Sequence, residues 1–156
     1  MKPEVVMIGL GYIGLPTAAL IASNKVFVYG VDINSDVVET INRGEIHIVE
    51  PELDSAVANA VKNGFLKAGL KAKEANTYLI VVPTPFKDKN EHDISFVEAA
   101  TKGILPLLKE NDLYIIESTS PTSKPISTNP PTRCFKAVIC TFSALSPGRT
   151  QSIAAF

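Results

Sequence analysis

Gly9, Gly11 and Gly14 form a Gly-x-Gly-x-x-Gly placed directly after the apolar run Val5-Val6-Met7-Ile8 and just before an Ala-rich apolar stretch, residues 17–22. That order reads as strand, tight turn and helix. The chemistry it offers is anion binding. Glycines at 9 and 11 permit a sharp turn whose backbone N–H groups can approach a pyrophosphate, and Gly14 lets the helix lie close against the strand. The helix start presents unpaired N–H groups and the positive end of the helix dipole to the anion. Tyr12 and Ile13 lie inside this turn. Glycines cluster in many tight turns, so the motif alone does not decide the matter.

The following strand supplies the second requirement. Val26-Phe27-Val28-Tyr29-Gly30-Val31 is rich in β-formers and ends in Asp32, about twenty residues beyond the glycines, where a dinucleotide fold carries its acid. A carboxylate there accepts both ribose hydroxyls of an adenosine and repels a 2′-phosphate, which predicts NAD over NADP. The alternative role for Asp32 is a turn former or helix N-cap, which Asn34 and Ser35 can equally supply.

The elements that have to hold these residues are legible from periodicity and punctuation. Strands are expected at 4–8, 26–32, 65–68, 78–82 and 113–116, and helices at 14–23 and 35–42, the second with Val37, Val38 and Ile41 on one face and Gly44 past its end. Residues 45–53 read as an extended piece leading into a helix that begins at Pro51 and stops at Asn63-Gly64, and 71–76 as a turn of helix. Ser95-x-x-Glu98 is a capping box for another helix, whose last turn Pro106 shortens or kinks. Alternating strands and helices call for a doubly wound parallel sheet, an α/β Rossmann-like single domain. Tyr78 to Val82 is apolar throughout, as for a central strand covered on both faces, and Thr84 beyond its carboxyl end is placed to touch a cofactor. His47 is read as a surface or packing residue.

The chain has 156 residues, 46% hydrophobic and 20% charged, with a formal charge of -1. This is room for one domain with a sizeable core. No global field recruits nucleic acid or an anionic membrane, so neither is expected as a partner. Met1-Lys2 leads straight into the first strand and no apolar run approaches spanning length, which makes the cytoplasm the expected location. Cys134 and Cys140 form neither a disulfide framework nor a metal site.

Composition changes near the end. All 16 acidic residues precede Ser118, after which Ser, Thr and Pro become dense. Residues 120–133 read as loop or disorder, and Ala137-Val138-Ile139-Cys140 could form a strand, although nothing ahead of it prepares a docking partner. The expected division is a nucleotide-binding domain over 1–121 and an atypical tail over 122–156, with a frameshift, a misread gene end or a truncation as one origin and a divergent arm as the other.

Four segments together resemble the UDP-glucose/UDP-N-acetylmannosamine dehydrogenase family. They are Ile-Gly-Leu-Gly-Tyr-Ile-Gly-Leu-Pro at 8–16, Val-Asp-Ile-Asn at 31–34, Val-Pro-Thr-Pro at 82–85 and Glu-Ser-Thr-Ser-Pro at 117–121. Arg43-Gly44-Glu45-Ile46-His47-Ile48-Val49-Glu50-Pro51 is similar to the branch acting on UDP-N-acetyl-D-mannosamine. The resemblance implies oxidation of C6 of a UDP-sugar to a carboxylate with two NAD, in service of surface polysaccharide, through a cysteine thiohemiacetal and thioester. It implies that Tyr12, Ile13, Asp32 and Thr84 contact NAD and that Thr119 faces the reaction centre, as a second-sphere or water-positioning group. This chain departs from the pattern at Pro121-Thr122-Ser123-Lys124-Pro125. The family's catalytic Lys and Asn, its nucleophilic Cys and its second domain have no counterpart here, so neither cysteine inherits the nucleophile's role. The competing readings are a UDP-glucose-type fragment, a non-catalytic nucleotide-binding module, and an unrelated dehydrogenase sharing the fold. A sheet built to pack on a second domain exposes apolar surface, so a homo-oligomer is expected. Light scattering on the purified chain should give a dimer or larger species; a monodisperse monomer contradicts this.

Overall fold

The computed structural model describes residues 2–87, 91–117, 136–140 and 154–155. Its strands and helices follow in the order β1 (Val5–Ile8), α1 (Gly14–Ser23), β2 (Val28–Val31), α2 (Ser35–Asn42), α3 (Leu53–Lys62), β3 (Leu66–Gly69) and β4 (Thr77–Ile80). A small antiparallel pair, β5 (Phe86–Lys87) and β6 (Glu91–His92), comes next, then α4 (Ser95–Ile104), β7 (Leu113–Glu117), β8 (Lys136–Cys140) and β9 (Ala154–Ala155). The main sheet runs β3-β2-β1-β4-β7-β8-β9, parallel except for β9. Its six parallel strands, numbered by themselves, have the order 3-2-1-4-5-6 of a dinucleotide-binding fold.

Alternation along the strands sends side chains to two apolar layers. Met7, Val28 and Leu79 join Leu15, Ala18, Val38, Ile41, Val57 and neighbours from α1, α2 and α3 on one face. Val6, Ile8, Tyr78, Ile80, Tyr114 and Ile116 meet Val97 and Ile104 of α4 on the other. Coverage on both faces explains why β4 and β7 read as continuous apolar runs.

Both helices expected at 14–23 and 35–42 have those bounds. Gly44 closes α2 with φ 79°, and Pro106 sits in a 3-10 turn, Leu105–Leu107, that tightens the end of α4. Four local expectations fail. The helix after residue 50 begins at Leu53, because Glu52 takes a left-handed conformation, φ 62°, at its N-cap. Residues 45–50 are irregular instead of extended. Residues 71–76 are not helical: Ala75 N–H donates to the Tyr78 hydroxyl at 2.9 Å and Asn76 N–H to Glu4 O at 3.3 Å, which holds this segment against the start of β1 and β4. The Ser95 capping box does not form, because Ser95 is already helical and its N–H donates to the Asp93 carboxylate at 2.9 Å. Near the C-terminus, the segment at 136–140 does find a docking partner, the edge of β7, with Leu113 in register with Lys136 and Glu117 with Cys140. Residues 120–133 and Cys134 lie outside the described residues.

Two tyrosines anchor the α4 face. The Tyr114 and Thr101 hydroxyls lie 2.5 Å apart, and burial raises the Tyr114 phenol above its ordinary 10.0. Burial likewise raises Tyr78, whose hydroxyl also reaches Leu107 O at 3.4 Å. A raised folded-state value means the neutral phenol contributes its stability fully below the unfolded value, and that contribution is lost as pH rises through the folded value. Tyr114→Phe should therefore lose about 1 kcal/mol at neutral pH and show a shallower fall in urea midpoint between neutral pH and about pH 11 than the parent. An equally steep fall in both proteins contradicts the assignment.

Candidate functional site

Parallel register brings the singled-out residues into one row. Ile8 pairs with Val31 of β2 and Ile80 of β4, so Gly9, Asp32 and Val81 leave the sheet side by side at the carboxyl ends of three adjacent strands. The ladder continues through them: Gly9 N–H donates to Val31 O and Val81 N–H to Ile8 O, both at 2.8 Å. Ligands of open α/β sheets bind at these ends.

The turn itself is crowded below and open above. Gly9 has φ 96°, and a Cβ there would lie 2.3 Å from Val81 O; a Cβ on Gly14 would lie 1.9 Å from Gly9 O. Only glycine permits that left-handed strand end and that close approach of α1. Gly11 differs: among the described residues a Cβ would meet nothing within 4 Å, which leaves space beside it for a ligand. Tyr12 and Ile13 stand around that space, 68% and 59% exposed.

Among the described residues no side chain caps α1. By contrast, Asn34 caps α2 by accepting from Asp36 N–H at 2.9 Å. The N–H groups of Gly11, Tyr12, Ile13 and Gly14 have no acceptor among the described residues, the first turn donor being Leu15 N–H to Gly11 O at 3.0 Å. Orphan donors at a helix start, joined to an open glycine, fit a pyrophosphate.

Asp32 is half-buried and both of its oxygens are engaged. Oδ2 accepts Leu10 N–H from the glycine turn and Oδ1 accepts Asn34 N–H from the start of α2, each at 3.0 Å. A carboxylate has about four acceptor positions, so each oxygen keeps one for a ribose hydroxyl. The two readings of Asp32 thus coexist: it shapes the turn and remains available to a diol, while Asn34 does the capping.

Thr84 is half-buried in the loop beyond β4, two residues from Val82, whose side chain lies against Gly9. Thr119 lies outside the described residues. His47 is exposed and lines a shallow depression with Ile46 and Glu50, away from the glycine turn. Among the described residues no cluster of His, Cys, Asp or Glu is arranged to hold a metal, and no helix is long and apolar enough to cross a membrane.

Sequence reasoning missed Leu10, whose backbone N–H ties the turn to Asp32. Gly30 was the available signal, since a glycine inside a strand marks close approach of a neighbour; a Cβ there would lie 2.7 Å from a Leu10 methyl. Ile33 and Leu70 are exposed apolar residues that follow the two strand ends joined by Asp32 N–H to Gly69 O at 3.2 Å.

With this geometry in hand, comparison with known proteins finds that the model of the UDP-glucose/GDP-mannose dehydrogenase family, NAD binding domain, matches residues 3–129. The UDP-N-acetyl-D-mannosamine dehydrogenase of Yersinia pestis is 61% identical over 115 residues, 74% of this chain and 27% of that protein. An NDP-N-acetyl-D-galactosaminuronic acid dehydrogenase of Ralstonia nicotianae is 54% identical over the same length. Among solved structures, the UDP-N-acetyl-mannosamine dehydrogenase Cap5O from Staphylococcus aureus superposes with TM-score 0.85 at 31% identity, covering 97% of this chain and 41% of that one. The chain therefore spans about a quarter of the length of the curated relatives it matches.

The glycines separate into two experimental classes. Gly14→Ala should cost on the order of 3 kcal/mol in urea unfolding, because backbone has to move to admit the methyl. Gly11→Ala should keep the parent's stability and weaken binding of NAD by about tenfold or more, since its methyl occupies the ligand's space. Equal stability losses in the two variants contradict the division.

Proposed function

Because the chain belongs to the UDP-glucose/GDP-mannose dehydrogenase family through its NAD-binding domain, we propose that it is the coenzyme-holding part of an enzyme that oxidises C6 of UDP-N-acetyl-D-mannosamine to the uronate in two NAD-dependent steps. The observation that carries the reading is the conjunction of an uncapped glycine turn with a carboxylate held beside it. Bound NAD supplies the hydride acceptor. Towards it, the amides of Gly11, Tyr12, Ile13 and Gly14 receive the pyrophosphate, and the open side of Gly11 leaves room for it. The oxygens of Asp32 accept the adenosine ribose hydroxyls and oppose a 2′-phosphate. Tyr12 and Ile13 flank the dinucleotide, Ile33 and Leu70 offer apolar surface beside the ribose acid, and Thr84 stands on the nicotinamide side.

The sugar assignment is supported by the 61% identity to the Yersinia pestis protein. A second reading, another N-acetylated hexosamine nucleotide, is favoured by the 54% identity to the Ralstonia nicotianae protein. The same proposal makes 1–121 the nucleotide-binding unit and 122–156 a tail, and carries over to Thr119, by resemblance, a second-sphere or water-positioning role at the reaction centre. It includes cytoplasmic location, a part in polysaccharide synthesis and self-association. The covalent chemistry belongs to segments of the longer relatives that this chain does not match, so the chain by itself binds coenzyme without turning over sugar.

Calorimetry should give a saturable signal with NAD, with NADP weaker by about tenfold or more. Incubation with NAD and UDP-N-acetyl-D-mannosamine should produce no NADH above background. Folded protein that gives no heat with NAD overturns the coenzyme reading, and sustained NADH formation overturns the statement that the chain alone is inert.

A further inference from the structure

We propose that Asp32 has a second task, as the positioning residue that holds the pyrophosphate-binding turn in its binding conformation before any ligand arrives. This rests on the coenzyme reading and deepens it. A carboxylate serving only as a ribose acceptor needs to stand at the rim of the site; here Oδ2 reaches back to Leu10 N–H at 3.0 Å, in the middle of the glycine turn between Gly9 and Gly11. The Leu10 side chain is fully buried and lies over Gly30, which fixes the orientation of that peptide. The other oxygen accepts Asn34 N–H at 3.0 Å, and Asn34 in turn caps α2. One carboxylate thus clamps the start of α2 to the loop whose neighbouring amides, 11–14, are the orphan donors. A hydrogen bond to a charged group is worth enough to decide how a short exposed loop is populated, and an ordered turn removes an ordering cost from phosphate binding.

The two tasks separate with a nucleotide that lacks the diol. 2′,3′-Dideoxy-ADP keeps the pyrophosphate and base and gives Asp32 no hydroxyl to accept. Removing a carboxylate near a pyrophosphate by itself relieves repulsion and tightens binding, so any weakening has to pass through the turn. In the full chain, Asp32→Ala should weaken 2′,3′-dideoxy-ADP by about tenfold in calorimetry and speed hydrogen exchange at Leu10 N–H in the ligand-free protein. Asp32→Asn keeps one acceptor oxygen, which serves Leu10 N–H only by turning the amide NH2 towards Asn34 N–H, so it should recover part of both effects while staying weak for ADP itself. An Asp32→Ala protein that binds 2′,3′-dideoxy-ADP as well as the parent or better, with Leu10 exchange unchanged, overturns the proposal. Should the alanine variant not fold, Asp32→Asn decides: lost Leu10 protection with 2′,3′-dideoxy-ADP affinity intact contradicts it, and retention of both supports it. Absence of heat from the parent protein with NAD strikes the coenzyme reading instead, and the Leu10 exchange comparison still tests the clamp.

Discussion

The close approach of α1 to the end of β1 is the constraint on which the site depends. Gly9 O, Gly14 and Val81 O occupy so little space that a single added carbon at either glycine would enter a backbone carbonyl. That contact brings the helix start directly over the carboxyl end of a central strand, with its first N–H groups unused and no side chain to satisfy them among the described residues. An unsatisfied helix end is normally repaired by a cap worth about 1 kcal/mol; here these donors stay open to a ligand.

Parallel pairing does the rest. Because Ile8 is in register with both Val31 and Ile80, the turn, Asp32 and the β4 loop emerge in one row. A slip by one residue would reverse every side chain of β2 between the two apolar layers, so the same burial that stabilises the sheet also fixes the distance from glycine turn to acid. Stability and site geometry share one cause.

Much of this was legible in the sequence because the relevant signals are local. The glycine spacing, the acid after a β-rich run, and the bounds of α1 and α2 follow from residue types within a few positions of each other. What stayed hidden is decided by partners far along the chain. Residues 71–76 have helix-compatible composition, yet their amides are claimed by Tyr78 and Glu4. Glu52 holds a left-handed conformation with no glycine to announce it, and the Ser95 N–H donates to Asp93, two residues earlier. The strand at 136–140 had a readable pattern, but its docking edge on β7 is a property of the assembled sheet. The Leu10 to Asp32 link is of the same kind, a backbone donor 22 residues from its acceptor. Thr119 lies outside the described residues, so its role rests on resemblance alone.

The central claim is that a dinucleotide lies across the glycine turn, and amide NMR during an NAD titration of the full chain tests it most directly. The account predicts that the largest shift changes fall on Leu10, Gly11, Tyr12, Ile13, Gly14 and Asp32, with the exposed segment around His47 nearly unmoved. Saturable changes centred on residues 46–54 with the glycine-turn amides unchanged would contradict it.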